Sequence, residues 1–286
     1  MLPFRKILFP VDYSESAKRI VPFVYDAAQK HSADLLLVHA YGAEALAETN
    51  MRLADPALFD EVRGLQTERL RSYGEKYFGG TKFEPIARLG EAATAIHDVV
   101  HSHGADLVML PTHGYGPVRK MLLGSVTAKV LHDYSGAIWT ATPEALAKTE
   151  LPYGSLLCAV PDANSEEAEA ILRAGASLAK LYKAGLHVMH SIDTPPMTSE
   201  FDFTPYREEL KAAARKFLCG LLDRLDIRAP HSILDGAPAE CVRGEALRTG
   251  AGLIVTGRGH AQGAVSRLWS NLYTIVREAP CPVLSV

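Results

Sequence analysis

The second half of this chain restates its first half, and that repeat constrains the fold more than any other feature. RLGEAATAIHDVVHSHGADLVML (Arg88 to Leu110) lies over LDGAPAECVRGEALRTGAGLIVT (Leu234 to Thr256), pairing Gly90 with Gly236 and Gly104 with Gly250 at one constant offset. RKILFPVD (Arg5 to Asp12) likewise corresponds to SLLCAVPD (Ser155 to Asp162), and ADLLLVHAY (Ala33 to Tyr41) to GLHVMHSID (Gly185 to Asp193). Loop insertions account for the small drift in offset. The period is about half of 286 residues. That is far longer than a solenoid repeat, so each copy is a complete domain with its own core. The domains are placed at 1–143 and 153–286, joined by TPEALAKTELPYG, Thr142 to Gly154.

Within the first copy, strand and helix patterns alternate. KILFPV is a short apolar run closed by Asp12, and SESAKRIVPFVYDAAQKH then has helical spacing with Ser14 as N-cap and Pro22 expected to bend it. There follow a strand LLLVHA, a helix from Pro56 to Phe78, a strand KFEPIA, and a helix EAATAIHDVVHSHG capped by Gly104. A strand DLVML, a glycine loop, a helix SVTAKVLHDY and a strand AIWTAT complete the copy. Continuous apolar runs such as LLLV and LVML fit strands covered on both faces by crossover helices. The expected fold is therefore α/β, with two tandem doubly wound domains, each on a five-stranded parallel sheet.

Composition narrows the partners. Thirty Lys and Arg stand against 33 Asp and Glu, with no basic run, so neither nucleic acid nor an anionic membrane surface is an expected partner. No segment approaches the ~20 apolar residues of a membrane-spanning helix, and the start lacks an apolar run of signal-peptide length. Cys158, Cys219, Cys241 and Cys281 include no C-x-x-C pair. Free thiols in a cytoplasmic protein are the expectation.

The stretch that carries chemistry is PTHGYGPVRKMLLGSVTAKVL, Pro111 to Leu131, which joins a strand to a helix. Gly114 and Gly116 allow close backbone approach to a ligand. Gly124 and Ser125 open the next helix, whose free N–H groups and dipole favour a phosphate. Arg119 and Lys120 add positive charge. In an open parallel sheet, ligands sit beyond the carboxyl ends of the strands where the strand order reverses. Asp12 stands at such an end and could accept hydrogen bonds from ribose hydroxyls; helix capping is its plainer role. His113, inside the loop, is a candidate phosphate-side contact. HGYG lacks the second histidine of an H-x-G-H nucleotidyl transferase loop.

These residues resemble the universal stress protein family. Its pattern is G-x-x-G, nine residues, then G-S, with an earlier ILVPVD strand. Gly114, the nine residues Tyr115 to Leu123, Gly124 and Ser125 match the former, and ILFPVD from Ile7 to Asp12 the latter. The likeness spans the chain twice. It implies the adenine nucleotide alpha hydrolase-like strand order 3-2-1-4-5 and a first-domain nucleotide site. Pro10, Val11 and Asp12 would line the adenosine, and a backbone position at Val38 would read the adenine. Gly114, Gly124 and Ser125 would hold the phosphates, and Thr112, His113, Gly116 and Val126 beside them are further candidate nucleotide-binding residues. The implied ligand is ATP or another adenine nucleotide, with Mg²⁺ brought by the phosphates. It further implies domains paired through their last strands, a homodimer, and a protein partner that the sequence does not name.

Two departures matter. The first glycine of the pattern falls on Pro111, which has no N–H. In the second copy Gly257 keeps that glycine, but His260 takes the second and Ser270-Asn271 replace Gly-Ser. Pro161 replaces the carboxylate, with Asp162 one residue late, and Met189 stands where Val38 does. The second domain is therefore expected to be degenerate. The leading expectation is a stress-response regulator that binds nucleotide. The alternatives are a slow ATPase or phosphoryl transferase, for which Arg119, Lys120 and His113 are the nearby groups without a general base at a diagnostic spacing, and a nucleotide-free interaction module.

No metal site is expected. His97 and His101, four apart with His103 nearby, read as a polar helix face near its C-terminus, where histidine is favoured. His39 and His190 follow the second strand of each copy at matching places and suit either a cleft or a structural hydrogen bond.

Overall fold

The computed structural model describes residues 3–42, 56–113, 123–161, 165–192, 204–258 and 265–286. The chain divides into two compact units, Pro3–Pro143 and Glu144–Val286.

The first unit runs β1 (Lys6–Pro10), α1 (Glu15–His31), β2 (Asp34–Tyr41), α2 (Pro56–Phe78), β3 (Phe83–Leu89), α3 (Ala92–His103), β4 (Leu107–Pro111), α4 (Ser125–Asp133) and β5 (Ala137–Ala141). All neighbouring strands are parallel, in the order β3-β2-β1-β4-β5. β1 thus lies between β2 and β4, and the order reverses across that gap. The expected strand order is the observed one. Ile7, Leu8 and Phe9 of β1 are fully buried, as the apolar run requires of a central strand with helices over both faces.

α1 starts where the sequence says it should. Ser14 is its N-cap, in extended backbone, and its hydroxyl accepts the Ala17 N–H. The helix continues through Pro22 to His31 as one element.

The second unit follows with β6 (Ser155–Val160), α6 (Ser165–Tyr182), β7 (Gly185–Ile192), α7 (Thr204–Arg224), β8 (His231–Asp235), α8 (Pro238–Thr249), β9 (Leu253–Thr256), α9 (Val265–Glu278) and β10 (Val283–Ser285). Its parallel order is β8-β7-β6-β9-β10, the same topology. The paired glycines of the repeat have paired conformations. Gly90 and Gly236 have φ of 124° and 138°, and Gly104 and Gly250 cap their helices at 66° and 61°. L side chains are disfavoured at such angles, which explains why glycine stands at both places in both copies. The segment taken from sequence as a linker contains a short helix, α5 (Pro143–Lys148), with Ala145 and Leu146 buried.

Strand register fixes which residues of the two units correspond. Pro10 pairs with Val38 in the first, and Ala159 with Met189 in the second. Asp12 therefore corresponds to Pro161, and Val38 to Met189.

Candidate functional site

A cleft of about 310 Å³ opens between the carboxyl ends of β1 and β4, where the strand order reverses. That is the low end of the range for small-molecule sites. Pro10, Val11, Asp12, Val38, His113, Gly124, Ser125 and Val126 all line it. Thr112 does not; it is fully buried behind the wall, and its hydroxyl lies 3.0 Å from His113 Nδ1. Gly114 and Gly116, with Arg119 and Lys120, lie outside the described residues.

The floor is the β1 exit. The Val11 N–H donates to the Val38 carbonyl at 2.7 Å, and His39 Nδ1 lies 2.7 Å from the Val11 carbonyl. That carbonyl can only accept, so Nδ1 carries the proton. Burial holds the His39 imidazole below its ordinary value, keeping it neutral. Asp12 Oδ1 accepts the Ser14 N–H at 2.9 Å, an Asx turn into α1. Between them Tyr13 has φ of 60°, a strained angle for a side-chain-bearing residue. Its ring is held by the Arg69 guanidinium at 4.1 Å and by the His39 and Tyr73 rings at 4.7 and 5.7 Å. The carboxylate at the cleft is thus set by a turn locked from its far side.

The opposite wall is the start of α4. Gly124 is its N-cap and supplies no side chain to the helix N–H groups. Its own N–H is tied to the Thr112 carbonyl at 2.8 Å, and Thr127 Oγ1 donates to the Pro111 carbonyl at 2.9 Å. These two bonds fix the helix end against β4. The N–H groups of Ser125 and Val126 are among those a helix leaves without an intrahelical partner. They meet the cleft with the positive end of the helix dipole, the electrostatics an anion needs. His113 also lines the cleft, and its buried Nε2 has no partner among the described residues.

Most of the remaining wall escaped sequence reasoning, which marked Pro111 alone among its residues. Ala40, Ala92, Ile96, Leu110, Pro111 and Thr127 complete the lining. Ala92 and Ile96 are one turn apart on α3, a spacing that marks a buried face without telling core from cleft.

The second unit has a corresponding cleft of about 440 Å³. Pro161 and Met189 line it at the places of Asp12 and Val38, and Gly257 and Asn271 at those of Pro111 and Ser125. His190 repeats the His39 bond, with Nδ1 2.9 Å from the Val160 carbonyl. Both histidines therefore hold the strand-one exit. Asp162 and His260 lie outside the described residues.

Away from the clefts, His97 and His101 place their Nε2 atoms 3.1 Å apart on the exposed face of α3. No group of three or more metal-binding side chains occurs among the described residues. The four cysteines are free thiols; burial pushes Cys158 and Cys281 up to about 12. Among the described residues no helix is long and apolar enough to cross a membrane.

The sequence profile of the Universal stress protein family matches residues 3–135 and again 153–286. A universal stress protein of Thermus aquaticus is 33% identical over 133 residues, covering 46% of this chain and 93% of that protein. The crystal structure of a universal stress protein from Archaeoglobus fulgidus covers 98% of this chain and 95% of its own, with TM-score 0.65 and 19% identity. A Pseudomonas aeruginosa structure described as a putative universal stress protein gives TM-score 0.67 at 16% identity, over 99% of this chain and 93% of its own. At those identities the structures speak for the fold alone.

Proposed function

The chain belongs to the universal stress protein family, in two tandem copies, and from that premise we propose that its first domain binds ATP or another adenine nucleotide as a regulatory ligand in a stress response. One observation carries this reading. The carboxylate of Asp12 and the uncapped N-terminus of α4 face each other across a single 310 Å³ cleft at the reversal of strand order. A hydroxyl acceptor on one side and an anion-favouring helix end on the other suit a ligand with ribose at one end and phosphate at the other. On the β2 side of Asp12, Val38 and Ala40 line the cleft with backbone and small side chains, where a planar base can lie. Pro111 contributes a wall but no N–H. Mg²⁺ would arrive on the phosphates. Binding switches the protein only through unequal affinity for two of its states, which a homodimeric assembly or an unidentified protein partner would read.

The test is to denature freshly purified protein, identify and count the released nucleotide, and titrate emptied protein with ATP. About one nucleotide per chain is expected. Asp12→Ala removes the hydroxyl acceptor. Gly124→Asp puts a carboxylate where phosphate would sit, while Asp at a helix N-cap with φ of −59° is well tolerated. Each variant is expected to weaken binding at least about tenfold, roughly 1.4 kcal/mol. An empty protein that also ignores added ATP would overturn the reading.

A further inference from the structure

The second cleft is larger than the first, and three features make it a poor place for phosphate. The helix that would present free N–H groups starts early. α9 begins at Val265, so Asn271, which corresponds to Ser125 at the start of α4, lies past the first turn of its helix. Only the first four N–H groups of a helix are free, so those at Asn271 and Leu272 are committed to intrahelical bonds.

The second feature is a side chain. A Cβ on Gly257 would stand 2.1 Å from Glu167 Oε1 and 2.5 Å from its Cδ. The Glu167 carboxylate therefore lies directly on the glycine at the β9 exit. Aligning Ala168 and Ile171 of α6 with Ala17 and Ile20 of α1 puts Ser16 at the matching place in the first domain. A short hydroxyl is exchanged for a carboxylate, on the side where an anion would approach. The third feature is charge. Pro161 has replaced the acidic group that could receive ribose, and the Arg258 guanidinium, which alone would attract phosphate, shares the lining with the Glu167 carboxylate, so the cleft carries no net positive charge. Most of the remaining lining is apolar, including Ala159, Met189, Leu210, Val242, Leu272 and Ile275.

We propose that the cleft of the second domain is a binding site for an uncharged, largely apolar small molecule and that it excludes phosphorylated nucleotides. Volume supplies the positive half of the argument. An open cleft lined mostly by apolar side chains leaves that surface in water, and an apolar ligand that covers it gains the burial. This one holds about 440 Å³ against 310 Å³ in the first. Charge and backbone supply the exclusion. The proposal is independent of what the first cleft binds.

The test uses the whole chain and the neutral fluorophore N-phenyl-1-naphthylamine. Saturable uptake of one molecule per chain is expected, unchanged by excess ATP and by Gly124→Asp. Val242→Trp fills the cleft and is expected to weaken uptake at least tenfold. Ser191→Trp obstructs it from a half-buried lining position, and decides the matter if circular dichroism shows that Val242→Trp does not fold. Ile96→Trp, in the first cleft, is expected to leave uptake intact. Absence of saturable uptake, displacement by ATP, or uptake indifferent to both second-domain variants would overturn the proposal. So would photolabelling of the second domain by an azido-ATP.

Discussion

Replacing Glu245 with Gln is expected to remove most of an acid-sensitive part of the second domain's stability. Glu245 on α8 is 3% exposed, and its carboxylate is surrounded by donors. Arg248 reaches both oxygens at 2.7 and 2.8 Å, Ser232 donates at 2.5 Å, and His187 Nε2 lies 2.8 Å away. The Arg248 hydrogen bonds, with Ser232 and the Arg248 and His187 charges adding, pull the carboxyl from 4.5 down to about 2 against the opposing effect of burial. At 1.36 kcal/mol per unit this corresponds to roughly 3 kcal/mol at neutral pH. Because Arg248 is 60% exposed on its side chain, solvent screening brings the expected figure nearer 2 kcal/mol. The folded value lies below the unfolded one, so the unfolded chain takes up protons first. The contribution is complete above about pH 5 and is lost as pH falls from there towards 2. Denaturant unfolding of the wild type and of Glu245→Gln at pH 7 and pH 3.5 measures this. The variant should lose about 2 kcal/mol at pH 7, and its deficit should shrink at pH 3.5. Parallel stability curves across that interval, or a loss below about 0.5 kcal/mol at pH 7, would refute the reasoning.

Ser14→Ala removes the oxygen that accepts the Ala17 N–H, and should cost the first domain about 1 kcal/mol by chemical denaturation. Thr127→Val deletes the hydroxyl that ties α4 to the Pro111 carbonyl while keeping the shape. It should cost about 1–2 kcal/mol and weaken ATP binding several-fold in calorimetric titration, by loosening the helix end that forms the cleft wall. Gly257→Ala pushes a methyl into the Glu167 carboxylate, the end of a flexible, half-buried side chain that can shift, and should destabilise the second domain by no more than about 1 kcal/mol. Glu167→Ala in the same chain should restore most of that loss, and a double-mutant cycle reading additive effects would contradict the contact.

The fold was legible in this sequence because its signals are local and repeated. Apolar runs such as LLLV and LVML mark central strands, Ser14 marks a helix start, and Gly104 and Gly250 mark two helix ends with the same left-handed backbone. The polar half of the first cleft was legible for a related reason. Asp12, Gly124 and Ser125 stand at strand and helix ends, where side chains that cap or contact ligands concentrate. The wall formed by α3 and by mid-strand residues was not. Ala92 and Ile96 present the same helical spacing whether they face a core or a cavity, and Ala40 and Leu110 are ordinary strand residues. Thr112 shows the converse error. It sits in the loop pattern, yet it is fully buried off the lining, with its hydroxyl against His113 Nδ1. The early start of α9 was also hidden. Aligning Ser270-Asn271 with Gly124-Ser125 suggested a worn loop. The helix instead runs through that point from Val265, although Ser and Asn are themselves good N-cap residues, so local sequence does not mark its start.

Glycine spacing therefore carries different meanings in the two halves of one chain. By pattern alone, the second domain is closer to a phosphate loop at its first position, because Gly257 is retained there and the first domain has Pro111. By structure, Gly257 accommodates a protein carboxylate, with Glu167 lying where its side chain would be. At Pro111 the matching residue on α1 is Ser16, with a hydroxyl in place of the carboxylate. The missing N–H at Pro111 also weighs less than it first appears, because the anion-favouring N–H groups of that cleft come from Ser125 and Val126. What separates the two clefts is where the following helix begins and which side chain faces the strand exit. A glycine identifies a place where something approaches the backbone closely; the charge of what approaches is set by the elements packed around it.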